Sequence, residues 1–511
     1  MDKVIVCSTR GLGAKYGASS VDRIGEAIQR LVRADAGRGL ATAAIDIADD
    51  ALMRELGGTA VTDPQDQEGA KAAVDAIYAR IRPDYVVLLD GPDVVPHVSL
   101  DRIPGLYDAD LAIDSDLPYA SPAPFSRRAD AYLSVTRVVG RIPVPRGFGR
   151  HDELLKLLDF AVDAKPATGG TAPSYFCLSA ADWEGSTKAS LSCVFGNHDD
   201  LLLSPESAHV AINPLLGRAI HFINCHGADA DPCFRGALDG VYPVCMDSGL
   251  VRPLVAPGAV VVAECCYGAQ LFGTGGKGLD QAPMAFAYAL GGAAAFVGST
   301  TLSYAPRSTN GQADLLAQYF LGAVLKNAST GRSLLEARQE FVRRQVMSNP
   351  LNLKTLAQFV LYGDPSQTPF PKAQAMKVDS EQPVDTDTLA DASAGRKLRR
   401  VALEAAGNAA AGSATRLGRA VGRGPASLDR LRSLAASRGF RSEPRIYAVR
   451  GSQQHSRAAG ALVDDRRLAL VVERGPDHYG GPAGVAKPSY RVLSVQLVGD
   501  AVAAVHEAES R

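Results

Sequence analysis

Residues Gly258 to Gly268 read GAVVVAECCYG, and Ala219 to Gly227 read AIHFINCHG. Each is a short apolar run that stops at a polar or reactive group followed by a glycine, the pattern of a buried strand entering a loop. In an α/β sheet, reactive side chains gather just past the carboxyl ends of strands, where backbone N–H groups point outward. His226 with Gly227, and Cys265, Cys266 and Gly268, occupy such ends. A thiol needs a nearby base or cation to ionise at neutral pH, and a histidine on an adjacent strand supplies one. The glycine after each lets a substrate carbonyl approach the backbone closely, and its N–H can help hold an oxyanion.

Outward from these two ends, the chain alternates apolar runs with helical patterns. KVIVCST, LATAAIDIA and DYVVLLDGPDVVP read as strands, separated by the amphipathic segments SVDRIGEAIQRLVRA and EGAKAAVDAIYARI. The pattern restarts with SYFCLSAAD and continues through AIHFINCHG, AVVVAECC and GGAAAFVGST. Such alternation predicts an α/β fold with mostly parallel sheets, arranged as two tandem α/β subdomains over 1–165 and 166–372. Within the first of these, Asp101 to Asp130 is irregular and rich in Asp and Pro; at that length it is either functional or mobile.

After LYGDPSQTPFP the composition shifts. Residues 378–391 carry five acidic side chains and no basic one, and residues 395–445 carry twelve Arg or Lys against three Asp or Glu. This predicts a charged flexible linker over 373–444. The runs RIYAVR, RLALVVER and YRVLSVQLVGDAVAAVHEA then predict a small C-terminal β or α+β domain over 445–511.

Composition excludes several classes. The 511 residues are 46% apolar and 21% charged with a net charge of −1, so nucleic acid is not the expected partner. The opening MDKVIVCSTRGLG lacks a secretory pattern, and no run reaches the length of a membrane span. Eight cysteines on mostly strand-like runs are expected as free thiols in a reducing, cytoplasmic compartment. GLGAKYG, Gly11 to Gly17, misses the dinucleotide fingerprint by a residue and reads as a turn. Cys225, His226, Cys233, Cys245, Cys265 and Cys266 leave a zinc site open as an alternative, although they form no CxxC or HxxxH pair.

Seven segments, YVVLLDGPDVVP, DSDLPYA, RVVGRIPV, FINCHG, VVVAECCYG, GGAAAFVGST and VLYGDPS, run in an order that resembles the gingipain-type family of caspase-like cysteine peptidases. The resemblance spans roughly residues 80–370 and implies a caspase/gingipain-like fold and a cysteine endopeptidase. Its pattern of an acidic residue, a small residue and the nucleophile assigns Cys266 as nucleophile and Cys265 as the residue facing into the sheet. His226 is then the base, and the N–H groups of Gly227 and Cys266 form the oxyanion hole. The helix after VVGRIPV places Asp159 where gingipains carry the carboxylate that pairs with a P1 arginine, so cleavage after Arg or, less strongly, Lys is expected. The resemblance implies no required cofactor, with Ca²⁺ as an optional ion at the acidic stretch Asp108 to Asp116. The expected partner is a protein or peptide substrate, with no nucleic acid and no membrane. A tightly regulated intracellular processing role fits the lack of a secretory pattern, with either an activating partner or self-cleavage in the linker at GRKLRR (395–400) or RLGRAVGRG (416–424). The alternative is a catalytically inactive or zinc-binding α/β scaffold that mediates protein interactions.

Overall fold

The computed structural model describes residues 1–165, 173–370, 392–421, 425–450, 466–480, 485–498 and 501–511. Its centre is a ten-stranded sheet built from the apolar runs of the sequence. Along the chain these strands are β1 (Lys3–Cys7), β2 (Thr42–Asp46), β3 (Tyr85–Leu89), β4 (Val139–Ile142), β5 (Tyr175–Ala180), β6 (Leu201–Ser204), β7 (Ile220–Asn224), β8 (Val260–Ala263), β9 (Ala295–Ser299) and β10 (Phe359–Tyr362). Their order is β2-β1-β3-β4-β10-β9-β8-β7-β5-β6. Every residue of β1, β7, β8 and β9 is buried, as strands covered by helices on both faces must be. The mostly parallel α/β architecture predicted from the alternation is the one observed.

Adjacent strands run parallel except β9 and β10, which are antiparallel. The two units are therefore halves of one sheet, running in opposite directions and joined where β10, late in the chain, pairs with β4 through Tyr362 and Arg141. Buried charges pin this seam. Lys3 on β1 reaches Asp35 at 2.5 Å and Asp364, just past β10, at 2.6 Å, all three nearly inaccessible to solvent. Arg141, fully buried on β4, holds Asp116 bidentately at 2.6 and 2.9 Å and donates to the carbonyls of Asp90 and Val95. Such fork-on-carboxylate geometry satisfies both charges where water cannot.

The stretch expected as a linker differs from that expectation where it is described; residues 371–391 and 422–424 lie outside the described residues. Residues Ala392–Ser413 are an α-helix docked on the first half of the sheet domain. Its arginines find acidic partners there: Arg396 meets Asp2 at 3.0 Å and Arg400 meets Asp84 at 3.3 Å, while Glu404 accepts from the Tyr78 hydroxyl at 2.9 Å. A Cβ at Gly407 would lie 2.2 Å from the Val135 carbonyl oxygen, so a glycine permits this close approach. The excess of positive charge thus reads as one half of an interface whose acidic half lies more than 300 residues away in sequence. GRKLRR accordingly lies within a helix, not in an extended, cleavable segment.

The remaining strands form a six-stranded antiparallel sheet in the order Tyr304–Ala305, Ala501–Ser510, Val485–Val498, Arg466–Gly480, Arg445–Arg450 and Arg416–Ala420. Leu428 and Leu431 of the helix Pro425–Ala436 cover one face against Ile446, Ala469, Val471 and Leu493. Its edge strand Tyr304–Ala305 comes from the loop that follows β9, so this sheet is continuous with the body at that point.

Candidate active site

The candidate site lies past the carboxyl ends of β7 and β8, which are paired in parallel from Ile220 with Val260 to Ile223 with Ala263. That register sets His226 and Gly227 beside Glu264, Cys265 and Cys266. Contact is close: a Cβ on Gly227 would lie 1.9 Å from the Cys266 carbonyl oxygen, which leaves no room for a side chain there. Tyr267, the next residue, adopts φ of 54°, a left-handed conformation costly for an aromatic residue. Its hydroxyl is held by Asp110 at 2.7 Å and its N–H by the carbonyl of Thr301 at 2.9 Å.

Side chains alternate across this strand end. Cys265 packs with Cys225, Val261 and Ala263 in the core on one face, whereas Cys266 belongs to the core cluster on the other. The Cys266 thiol accepts from the Ser303 N–H at 3.1 Å, and burial pushes its pKa up to about 12. His226 is mostly buried, its backbone paired in both directions with Arg235. Its ring lies over Trp183 with centroids 4.2 Å apart and meets the edge of Tyr242 at 5.1 Å. A cleft of 410 Å³ opens beside His226, Gly227, Tyr242, Tyr267 and Thr301.

Ser510 and Arg511 also line this cleft, and Arg511 fills a pocket beside Cys266. The Cys266 N–H donates to the Arg511 carbonyl oxygen at 3.0 Å, and the fully buried guanidinium bonds Asn224 at 2.7 Å, Asp314 at 2.8 Å and Glu264. The Ser186 hydroxyl and the Pro306 carbonyl accept from it at 3.2 and 3.3 Å, and the Trp183 ring lies 5.2 Å away. Burial, and then the neighbouring Asp314 carboxylate, hold Glu264 well above the usual carboxylate range, with Arg511 opposing them. Burial alone would lower the Arg511 pKa, yet Asp314 and Glu264 raise it above its ordinary value.

Asp159 is not brought to this site. It is half exposed on the helix His151–Asp163 and pairs with Arg30 at 2.8 Å. The carboxylates that meet a guanidinium beside Cys266 are Glu264 and Asp314, neither assigned to this role from the sequence. Glu264 had a signal: an acidic residue ending an apolar strand, two positions before Cys266 and so on the same face. Asp314 had none, as the third residue of an ordinary helix, Gln312–Leu325.

The Asp-rich stretch also has work other than ion binding. Asp108 and Asp110 are neutralised by the buried Lys354 at 2.5 and 2.6 Å, and Asp116 by Arg141. Asp110 accepts from the Leu302 N–H at 2.9 Å and Asp108 from the Tyr304 hydroxyl at 2.9 Å. The stretch thereby fixes the loop on which the C-terminal strand is laid. Among the described residues, no group of three or more His, Cys, Asp or Glu is placed to hold a metal ion. All eight cysteines are free, with the Cys225 and Cys245 sulfurs 3.7 Å apart. GLGAKYG is largely helical, its Lys15 paired with Asp90 and Asp93.

The fold is thus α/β with a mostly parallel sheet and a histidine and a cysteine on neighbouring strand ends, an arrangement consistent with a caspase-like fold. Residues 257–370, which include Cys266 and Asp314, match Peptidase family C25, and the gingipain-type resemblance holds over that segment. The solved structures similar to the chain include one named "Structure of Protease", with 11% identity and a TM-score of 0.46, covering 99% of this chain and 96% of that one. Separase in the Saccharomyces cerevisiae separase–securin complex is similar at 16% identity and a TM-score of 0.29, over 46% of this chain and 14% of that one. None of the curated proteins matches. No helix among the described residues is long and apolar enough to cross a membrane.

Proposed function

We propose that this chain is a cysteine endopeptidase that cleaves after arginine, with Cys266 as nucleophile and His226 as base. The carrying observation is the doubly anchored Arg511, whose carbonyl oxygen is on the Cys266 N–H while its guanidinium fills the pocket of Glu264, Asp314 and Asn224. A peptide carbonyl in that place has, at the oxygen where charge develops, a backbone donor from Cys266, the residue that carries the thiol. His226 takes the thiol proton; sulfur bonds to the carbonyl carbon, and the C–N bond breaks as the proton passes to the leaving amine. Water then hydrolyses the thioester and regenerates the thiol. Lysine presents one point charge to acceptors arranged for a fork, so arginine is preferred. Eight free thiols fit a reducing, intracellular setting.

The test is hydrolysis of peptides bearing arginine at P1. Cys266→Ala and His226→Ala should each abolish turnover with the melting temperature preserved, and Cys265→Ala should retain it. Turnover surviving Cys266→Ala, or stoichiometric zinc in an inactive protein, would overturn the reading.

A further inference from the structure

Arg511 does more than report what the pocket accepts, because the residues before it also lie as a substrate would. The Arg511 N–H donates to the Ser303 carbonyl at 3.0 Å, and Ser510 and Glu509 pair antiparallel with Tyr304 and Ala305. Main-chain pairing of an extended segment with a free edge, with side-chain pockets for specificity, is how clefts of this kind read peptides. The side chains divide by what holds them. Arg511 is held by the body through the acidic pocket. Glu509 is held by Arg307 at 2.6 Å, on the loop beyond the edge strand, and by Arg491 of the C-terminal sheet at 3.3 Å. Ser510 instead accepts from the Tyr490 N–H at 2.9 Å, within its own sheet.

Stability is a weak reason for this arrangement. A fully buried Arg with two buried carboxylates is costly to desolvate and commonly no better than an apolar cluster of the same volume. Its placement against the Cys266 N–H is what an apolar cluster would not supply.

We infer that Glu509, Ser510 and Arg511 are a resident pseudosubstrate filling the P3, P2 and P1 places of the cleft, and that the cleft selects peptides of the same acidic–any–Arg pattern. This rests on the proposed role of Cys266. Substrate enters once these three residues peel from Ser303, Tyr304 and Ala305, while the remainder of their strand stays paired with Val485–Val498. With the strand in place Cys266 is 1% exposed, so the occupied cleft also withholds the nucleophile.

The experiment follows alkylation of Cys266 by iodoacetamide, located by peptide mapping because Cys193 is exposed and reacts in every variant. In parallel it follows hydrolysis of a peptide with Glu at P3 and Arg at P1. Full-length wild type is compared with Arg511→Ala and, because emptying an acidic pocket can unfold the chain, with Glu509→Arg. The latter keeps the pocket filled but sets a cation against Arg307 and Arg491. Cys266 should alkylate at least tenfold faster in Arg511→Ala and several-fold faster in Glu509→Arg, at unchanged melting temperature for the latter. The free peptide Ala-Glu-Ser-Arg should restore protection to Arg511→Ala. Equal alkylation in wild type and Glu509→Arg, with Arg peptides cleaved equally by both, overturns the pseudosubstrate and leaves the peptidase standing. Accelerated alkylation without cleavage of any Arg peptide shows that the strand covers Cys266 but overturns the peptidase, and the pseudosubstrate with it.

Discussion

At the scale of single residues, the site turns on where carboxylates are buried. Glu264 and Asp314 sit together without access to water, which is tolerable when a guanidinium lies between them and expensive when it does not. Glu264→Gln should lower kcat/KM for P1-arginine peptides by about 100-fold, near 3 kcal/mol of transition-state binding. Asp159→Asn, which loses a half-exposed pair with Arg30, should leave it unchanged. The raised pKa of Glu264 gives this a pH signature. The ionised form holds the guanidinium, so kcat/KM should fall as pH falls through the raised pKa of the free enzyme. In Glu264→Gln that acidic limb should flatten. An unaltered pH profile in the variant would show that another group sets it.

At the scale of elements, the loop from Ser299 to Arg307 joins two jobs. Its Ser303 N–H contacts the Cys266 thiol, and its Tyr304–Ala305 edge offers a short strand for pairing. It is braced by Asp108, Asp110 and Lys354, so the Asp-rich stretch, either functional or mobile by sequence, is a support whose target the sequence does not name. Arg307, at the loop's end, is more than half exposed and pairs with Glu509, the residue at the proposed P3 place. Arg307→Ala should therefore reduce kcat/KM several-fold for peptides with Glu at P3 and leave peptides with Ala at P3 unaffected. An equal loss on both would assign Arg307 to holding the loop. The helix Ala392–Ser413 teaches the converse: its Arg content is visible in sequence, but Asp2, Tyr78 and Asp84 decide that it docks.

At the scale of the whole molecule, one sheet spans both halves. β10 is made late in the chain and inserted between β4 and β9, and Lys3 is bonded to Asp364 beyond it. Residues 1–165 alone would expose the edge of β4, leave Lys3 with Asp35 as its sole buried partner, and leave Arg141 without the β10 neighbour. That fragment should fail to give a cooperative thermal transition, whereas residues 1–370 expressed with the C-terminal sheet should unfold without a separate early step for the first half. A stable, soluble 1–165 fragment would show two independent cores.

The strand runs, their helical partners and the strand ends that carry His226 and Cys266 were legible in the sequence, because period and local pattern are short-range properties. The fusion of two α/β runs into one sheet was not, since a lone apolar strand such as Phe359–Tyr362 carries no mark of its neighbours. Nor was the arginine pocket. Its walls come from Ser186, Asn224, Glu264 and Asp314, and its occupant from Arg511, five segments brought together by strand order. Which buried carboxylate meets which cation is decided by desolvation and geometry in three dimensions, and only the tertiary structure carries that information.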